Sequence, residues 1–144
     1  MSAGGTDAVR LAADANVLLS AVIGGRANLI LKDSRIREIF TTEHTVAEVQ
    51  EYALVLAAKR RLASDSLLLA VAALPVTIVT RPQYAKSIPQ AAKRIGRRDP
   101  EDIELFALAL HFRIPIWSND RDFENLKVDL FTTERLLRHL GIIH

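Results

Sequence analysis

The chain is predicted to fold as an α/β protein, a three-layer α/β/α sandwich around a mainly parallel central sheet. Short apolar or β-branched runs alternate with helical patterns along the sequence, and such alternation favours right-handed crossovers between parallel strands. The length of 144 residues and a hydrophobic fraction of 49% suit a single domain with a buried core. No repeat, low-complexity tract or linker divides the chain.

The N-terminal residues and the composition indicate the compartment in which the protein is expected to act. Residues 1–8 are expected to be a disordered leader before one domain of residues 9–144. These residues have no basic region and no apolar core, so they are not expected to act as a signal peptide. The longest apolar run, residues 67–79, contains Pro75 and is too short to span a bilayer, so no membrane association is expected. The absence of cysteine excludes thiolate metal sites and fits a cytoplasmic location.

The N-terminal half has two strong element signals. Residues 9–13 form an apolar run that predicts a buried strand. Thr45 and Glu48 match the S/T-x-x-E capping box, which predicts the start of a long helix and places Glu48 in its first turn. The full set predicted here is strand 9–13, helix 16–34 broken or bent near Gly24-Gly25, strand 36–41, helix 45–61, a helix capped by Ser64 or Asp65 that runs to Leu74, and strand 76–79.

The C-terminal half begins with a basic helix, residues 84–95, which Pro89 interrupts and Gly96 caps. Asp99 is then a good N-cap for a helix with Pro100 at its first position. The remaining predicted elements are strand 114–117, a short helix 120–126, strand 128–131, and a helix capped by Thr132 or Thr133 that runs through Leu140 to Gly141.

Five acidic residues occupy positions where one metal site would need them. Asp14 follows the first strand, and Asp120 and Asp122 follow strand 114–117; ligands of parallel sheets gather beyond the carboxyl ends of strands. Glu48 and Asp102 lie at the starts of two helices. Each acid has an ordinary explanation as a helix cap or a favourable helix-dipole charge, but five caps need not converge. A cluster of carboxylates provides the oxygen ligands that Mg²⁺ prefers. A magnesium site of this kind favours metal-assisted hydrolysis of a phosphodiester as the reaction.

Several other site classes are excluded by the sequence. The four histidines have no zinc-motif spacing. No phosphate-loop or dinucleotide-binding glycine motif is present, and no serine stands in a G-x-S-x-G elbow.

A basic segment precedes the acids near residue 100. Between Arg81 and Arg98 there are six basic residues and no acid. Such a segment predicts a surface that holds a polyanion beside the metal site, although a solvated helix face is the ordinary alternative. The residues expected to contact phosphates of this polyanion are Lys93, Arg94, Arg97 and Arg98, with Lys59, Arg60 and Arg61 as a second candidate patch.

Four short motifs, in order, resemble those of PIN-domain proteins from about residue 9 to residue 140. They are Asp14-Ala15-Asn16-Val17-Leu18-Leu19-Ser20, Glu48 within Thr45-Val46-Ala47-Glu48-Val49, Asp99-Pro100-Glu101-Asp102, and Ser118-Asn119-Asp120-Arg121-Asp122-Phe123. The resemblance implies a PIN-like α/β/α sandwich and a Mg²⁺- or Mn²⁺-dependent endoribonuclease. It also implies a possible kinship with VapC-type toxins, which a cognate antitoxin inhibits.

The resemblance also implies roles for individual residues. The catalytic acids would be Asp14, Glu48, Asp102 and Asp120, and the metal ligands Asp14, Asp102, Asp120 and the accessory acid Asp122. Polar support would come from Asn16 and Ser118, while Asp99 either joins the site or only caps its helix. Residues 62–98 are longer and more basic than expected for the smallest toxins, which weakens the toxin assignment relative to the fold.

Two alternative functions remain open from the sequence. A haloacid-dehalogenase-type phosphatase also has an Asp after its first strand, but its D-x-D motif would need an acid where Asn16 stands. A non-catalytic PIN-like scaffold that binds RNA or protein would tolerate loss of the acids, which are intact here. The substrate expected for the nuclease is single-stranded or looped RNA. A homodimer is also expected, because residues 27–31 and 67–73 are strongly apolar.

Overall fold

A computed structural model of the chain describes residues 9–95, 100–124, 126 and 128–143. Within these ranges five strands form one sheet in the order β3-β2-β1-β4-β5, and each neighbouring pair is parallel. The predicted class is confirmed, with a sheet that is parallel throughout rather than mainly so. The strands are β1 Val9–Ala13, β2 Ile36–Thr42, β3 Thr77–Val79, β4 Ile116–Trp117 and β5 Leu130–Phe131.

Helices cover both faces of this sheet. Leu11 and Ala13 of β1 belong to an apolar cluster with α1, α2, α3, α4 and α8, whereas Ala12 of β1 packs with α6 and α7 on the other face. None of the described helices is long and apolar enough to cross a membrane. The α-helices are α1 Ala15–Val22, α2 Ala27–Leu31, α3 Glu43–Arg60, α4 Ser64–Ala72, α5 Arg81–Tyr84, α6 Ile88–Ile95, α7 Pro100–Phe112 and α8 Thr133–His139, with 3₁₀ turns at Ala85–Ser87 and Arg121–Phe123.

The strand order places a crevice at the carboxyl ends of β1 and β4. From β1 the chain adds β2 and then β3 on one side, and it then crosses back to place β4 on the other side of β1. Such a reversal leaves an opening between the diverging connections, where ligands of α/β sheets bind. Strand β1 is central and apolar on both faces, with Leu11, Ala12 and Ala13 fully buried.

The start of α3 differs from the prediction. Strand β2 continues through Thr42, and Thr42, not Thr45, is the N-cap: its Oγ1 accepts a hydrogen bond from the N–H of Thr45 at 3.0 Å. The predicted capping box of Thr45 and Glu48 is therefore wrong, because Thr45 is already a buried residue inside the helix. Glu48 lies in the second turn of α3, not the first.

Other boundaries differ for local reasons. The predicted break at Gly24-Gly25 is confirmed, since Gly24 has a φ of +84° between α1 and α2. Pro89 does not interrupt a helix; it lies in the first turn of α6, where its missing N–H has no intrahelical partner to lose. The predicted cap of α4 is also wrong: Ser64 is its first residue, after Ala63. Strands 114–117 and 128–131 shorten to two paired residues each, and helix 120–126 to a 3₁₀ turn.

Candidate metal centre

Three acids from separate parts of the chain meet at the crevice. Asp14 directly follows β1, Asp120 lies two residues beyond Ser118 at the end of β4, and Asp102 lies in the first turn of α7. Each offers a carboxylate oxygen, and these oxygens all lie within 4.8 Å of one another. All three residues are half-buried. The topology therefore brings together three carboxylates, two of which lie more than a hundred residues apart in the sequence.

This donor set fits a hard divalent cation. Three ionised carboxylates at such short distances repel one another, and a cation between them removes that repulsion. Mg²⁺ and Mn²⁺ prefer oxygen ligands, and Mg²⁺ needs only a few carboxylates because it retains several waters. The half-buried position of the acids leaves room for water and substrate. Among the side chains that the structure describes, Asp14, Asp102 and Asp120 thus form a group able to hold such an ion.

Hydrogen bonds from both ends of the crevice fix the Asp14 carboxylate. It is the N-cap of α1, and its Oδ1 accepts from the N–H of Ala15 at 2.8 Å. Its Oδ2 accepts from Ser118 Oγ at 2.7 Å and from Asn16 Nδ2 at 3.1 Å. The side chain of Asn16 also reaches across to β4, donating to Ser118 Oγ at 3.2 Å. Helix capping and site formation are therefore two roles of one carboxylate.

Asp120 is held through the same hydroxyl group. Ser118 is fully buried, and its Oγ accepts a hydrogen bond from the backbone N–H of Asp120 at 3.0 Å. The N–H of Asn119 donates to Asn16 Oδ1 at 3.1 Å, which fixes the intervening peptide as well. Asn16 and Ser118 thus connect the ends of β1 and β4, as polar support residues would.

Asn119, Thr133 and Trp117 extend this network to α8, a feature that sequence reasoning missed. Asn119 Oδ1 accepts from the N–H of Thr133 at 2.9 Å, and Thr133 Oγ1 accepts from the buried Trp117 Nε1 at 3.0 Å. The sequence feature that could have indicated this contact is the pair Thr132-Thr133 after β5. Thr132 caps α8 through Arg135 N, which leaves the second hydroxyl for the tryptophan.

Glu48, Asp122 and the basic residues near α6 were also predicted to belong to the site. Glu48 is half-buried on α3 and is not a member of the three-acid group. Asp122 lies in the 3₁₀ turn Arg121–Phe123, and its side chain is outside the description. Lys93 and Arg94 are exposed in the last turn of α6, and the Arg94 guanidinium lies 5.9 Å from the ring centre of Phe106 on α7. Of the residues discussed from the sequence, the leader 1–8 and Gly96, Arg97, Arg98 and Asp99 lie outside the described ranges.

A second polar cluster surrounds Glu104 on α7, and no pattern in the sequence had indicated it. Glu104 is only 6% exposed and accepts a hydrogen bond from the buried Tyr84 hydroxyl at 3.0 Å. Arg81 Nε lies 3.5 Å and His44 Nε2 3.8 Å from the same carboxylate oxygen. Burial, and then the Glu104 carboxylate, raise the pKa of Tyr84 well above its ordinary value. The cluster attaches α5 and the start of α3 to the helix that carries Asp102.

Comparison with known proteins agrees with this architecture. The crystal structure of PAE2754 from Pyrobaculum aerophilum superposes with a TM-score of 0.69 at 17% identity, over 96% of this chain and 100% of that one. The structure of VapBC2 from Rickettsia felis, bound to a DNA fragment from their promoter, gives a TM-score of 0.63 at 13% identity, over 86% of this chain and 98% of that one. No curated protein matches the sequence significantly. The model of the PIN domain matches residues 13–141, nearly the whole chain, and the protein therefore belongs to the PIN-domain family.

Proposed function

We propose that this PIN domain is a divalent-metal-dependent endoribonuclease that cleaves single-stranded or looped RNA. One observation carries the proposal: carboxylate oxygens of Asp14, Asp102 and Asp120 lie within 4.8 Å of one another at the crevice of the sheet. A fold needs no such convergence for stability, because ionised carboxylates at this distance destabilise it. Family membership, shown over residues 13–141, supports the same reaction class.

The acids and their supports have separable tasks. Asp14, Asp102 and Asp120 would hold Mg²⁺ or Mn²⁺, which when bound activates a water nucleophile and neutralises charge on the phosphodiester. Ser118 and Asn16 each donate a hydrogen bond to Asp14 Oδ2, and these bonds fix the orientation of that oxygen. Glu48, outside the group of three, is proposed to accept the proton of the attacking water. Asp122 is proposed as an accessory metal ligand.

The substrate would be bound by charge on the α6 side of the site. Lys93 and Arg94 are exposed on α6, which packs against the α7 helix that carries Asp102. Arg97 and Arg98 follow α6 directly in the sequence. Such contacts hold the phosphate backbone without reading its sequence. Flexible single-stranded or looped RNA suits the geometry because in-line attack needs a deformable backbone.

A toxin role is the more specific form of the proposal. The motifs resemble those of VapC-type toxins, and the VapBC2 structure from Rickettsia felis shares the fold. The partner proposed on this basis is an antitoxin encoded beside the gene. A short upstream reading frame whose product co-purifies with the protein and blocks cleavage would support this role. A protein that cleaves RNA without any such neighbour would instead be a nuclease outside a toxin–antitoxin pair.

The alternatives differ from the proposal at identifiable residues. A haloacid-dehalogenase-type phosphatase needs an acid/base two residues after its nucleophilic aspartate. Here Asn16 occupies that position, and its amide is engaged by Asp14, Ser118 and the backbone of Asn119. A non-catalytic scaffold would bind RNA without turnover, and it would have no need of the converging acids.

The decisive assay is cleavage of a labelled single-stranded RNA by the purified protein. We expect turnover with Mg²⁺ or Mn²⁺ and none with chelator, and we expect Asp102→Asn to abolish it. Asp65→Asn, an exposed acid on α4, is the matched control and should cleave normally. RNA binding without metal-dependent cleavage would identify the scaffold instead. Hydrolysis of a small phosphomonoester without RNA cleavage would identify the phosphatase.

A further inference from the structure

Glu104 is a buried acid that holds the side chain of an exposed arginine. The side chain of Arg81 is 64% exposed, yet its Nε lies 3.5 Å from Glu104 Oε1. The buried Tyr84 hydroxyl donates to the same oxygen at 3.0 Å. An ion pair with so exposed a partner adds little to stability, whereas burial of a carboxylate is costly. Stability alone therefore gives little reason for a carboxylate at this position.

The guanidinium of Arg81 is fixed at one atom and open to solvent at the others. Its Nε faces Glu104, and its two Nη groups remain to bind a ligand that arrives from water. The planar arrangement of these N–H groups matches the oxygens of a phosphate, to which arginine can donate two parallel hydrogen bonds. Because Glu104 holds the guanidinium in advance, less side-chain freedom is lost when the phosphate binds.

Arg81 lies at the same edge of the sheet as the metal group. It follows β3, while His44, whose Nε2 lies 3.8 Å from Glu104 Oε1, follows β2. The carboxyl ends of all five parallel strands share one edge, and Asp14 follows the next strand, β1. At about 4.8 Å between strands, the cluster lies roughly one to two strand spacings from Asp14. An RNA strand with one phosphate at the metal can therefore reach Arg81 with a neighbouring phosphate.

Arg81 also begins the basic segment of the chain, residues 81–98. The two helices described in this segment, α5 and α6, both pack against α7, which carries Asp102. Arg81 thus belongs to the same layer as the exposed cations of α6 that are proposed to hold the RNA backbone. The second basic patch of the sequence, residues 59–61, lies at the opposite end of α3 from His44 and therefore away from this edge.

We propose that Arg81 binds the backbone phosphate beside the scissile phosphate of the RNA substrate, and that Glu104 and Tyr84 are positioning residues that hold its guanidinium for this contact. The proposal rests on the proposed nuclease function, since it assigns a second contact to the same substrate. The mobile side chains of exposed lysines hold the strand by charge alone. A fixed guanidinium instead sets the position of the strand relative to the metal.

The contact is tested first by binding of a labelled single-stranded RNA in chelator, where no cleavage occurs. Arg81→Gln should weaken binding by about tenfold or more, the contribution of a charge-assisted hydrogen bond, and should reduce the slope of log K against log salt by roughly 0.7. Arg37→Gln, an exposed arginine near the amino end of β2, is the matched control and should bind like the parent. Equal affinities and salt slopes in the two variants would overturn the proposal.

The positioning role is tested by the sign of a second effect. Removal of an acid near a polyanion ordinarily strengthens binding, and Glu43→Gln, an exposed acid beside His44, should do so slightly. Glu104→Gln should instead weaken binding, because Arg81 is no longer held, and it should add little in a chain that already carries Arg81→Gln. Tyr84→Phe, which removes the hydroxyl that fixes Glu104, should act in the same direction. Urea unfolding verifies that each variant is folded; unchanged or tighter binding by the folded variants would overturn the positioning role.

The position of the phosphate is tested by cleavage of RNAs that carry one neutral methylphosphonate linkage beside the scissile phosphate. With Mg²⁺, this linkage should raise the KM of the parent by about tenfold and leave kcat nearly unchanged, because it removes a binding contact only. The KM of Arg81→Gln should not respond to the linkage. An equal rise of KM in both proteins would overturn the assignment to that phosphate. A parent that binds RNA in chelator but cleaves none with Mg²⁺ would refute the nuclease function, while the binding assay still decides whether Arg81 contacts RNA.

Discussion

Ser118 Oγ donates a 2.7 Å hydrogen bond to Asp14 Oδ2 and accepts a 3.0 Å hydrogen bond from the backbone N–H of Asp120. One buried hydroxyl therefore connects two acids that lie more than a hundred residues apart in sequence. Because Asp14 follows β1 and Asp120 follows β4, this contact also fixes the width of the crevice between the two strands.

Removing that hydroxyl should weaken metal binding. Ser118→Ala deletes a donor to a carboxylate and leaves the N–H of Asp120 without its acceptor, so we expect a loss of about 1–3 kcal/mol in unfolding free energy. The gain in unfolding free energy on adding Mg²⁺ should also be smaller, because Ser118 no longer holds Asp14 Oδ2 in a fixed orientation. Urea unfolding with Mg²⁺ and with chelator measures both effects. Ser66→Ala, an exposed serine on α4, should change neither; an unchanged Mg²⁺ effect in Ser118→Ala would refute the positioning role.

The α8 end of the network should matter for stability more than for chemistry. Thr133→Val keeps the shape but leaves the buried Trp117 Nε1 without an acceptor, which should cost about 1–3 kcal/mol. Thr133→Ser keeps the hydroxyl and should recover most of that loss. The chain has one tryptophan, so its fluorescence reports unfolding of this region directly. Equal stabilities of the Val and Ser variants would show that the hydrogen bond contributes nothing.

Lys93 and Arg94 should contribute to RNA binding and not to turnover. Their double replacement by alanine should weaken RNA binding and reduce the slope of log K against log salt by roughly 0.7 for each lost phosphate contact. Cleavage at saturating RNA should be nearly unchanged. Lys32→Ala, at the amino end of β2 and therefore at the opposite edge of the sheet, serves as control. The same salt slope in the double variant and the parent would remove α6 from the binding surface.

Tyr84 should make the stability of the protein sensitive to alkali. Burial and the Glu104 carboxylate raise the pKa of Tyr84 well above its ordinary value of 10. A raised tyrosine pKa stabilises the fold fully below pH 10, and this stability is lost as the pH rises toward the folded-state pKa. Tyr84→Phe should therefore lose less unfolding free energy than the parent as the pH rises above 10, as measured by urea unfolding. An equal loss in Tyr84→Phe and the parent would contradict the buried contact.

Sequence patterns predicted the central elements well because those elements are locally determined. The apolar run before Asp14 and the periodic α7 needed no tertiary information. The ends of β4 and β5 were overestimated, since Pro115 has no N–H for a ladder and the pairing of each strand is limited by its neighbour. The cap of α3 was misplaced by three residues because Thr42 and Thr45 are equally good caps in sequence, and only the length of β2 decides between them.

The site was predictable in its residues but not in its geometry. Asp14 and Asp120 follow strands, so a parallel sheet already implies that they share an edge. The approach of Asp102 depends on how Leu105 and Phe106 pack α7 against the sheet, which no local pattern encodes. The roles of Asn119 and Thr133 were missed for the same reason, because their contacts join residues that are distant in sequence or separated by a strand.

The central claim is that Asp14, Asp102 and Asp120 are gathered to hold a divalent cation, and the unfolding free energy with Mg²⁺ and with chelator tests it most directly. At one hundred times its dissociation constant, Mg²⁺ should stabilise the parent by about 2.7 kcal/mol. Asp102→Asn and Asp120→Asn should lose most of that gain. Their metal-free forms should be as stable as the parent or more so, because carboxylate repulsion is relieved. If the acids act only as helix caps, each replacement will instead cost about 1 kcal/mol and Mg²⁺ will have no effect on any form, which would contradict the metal site.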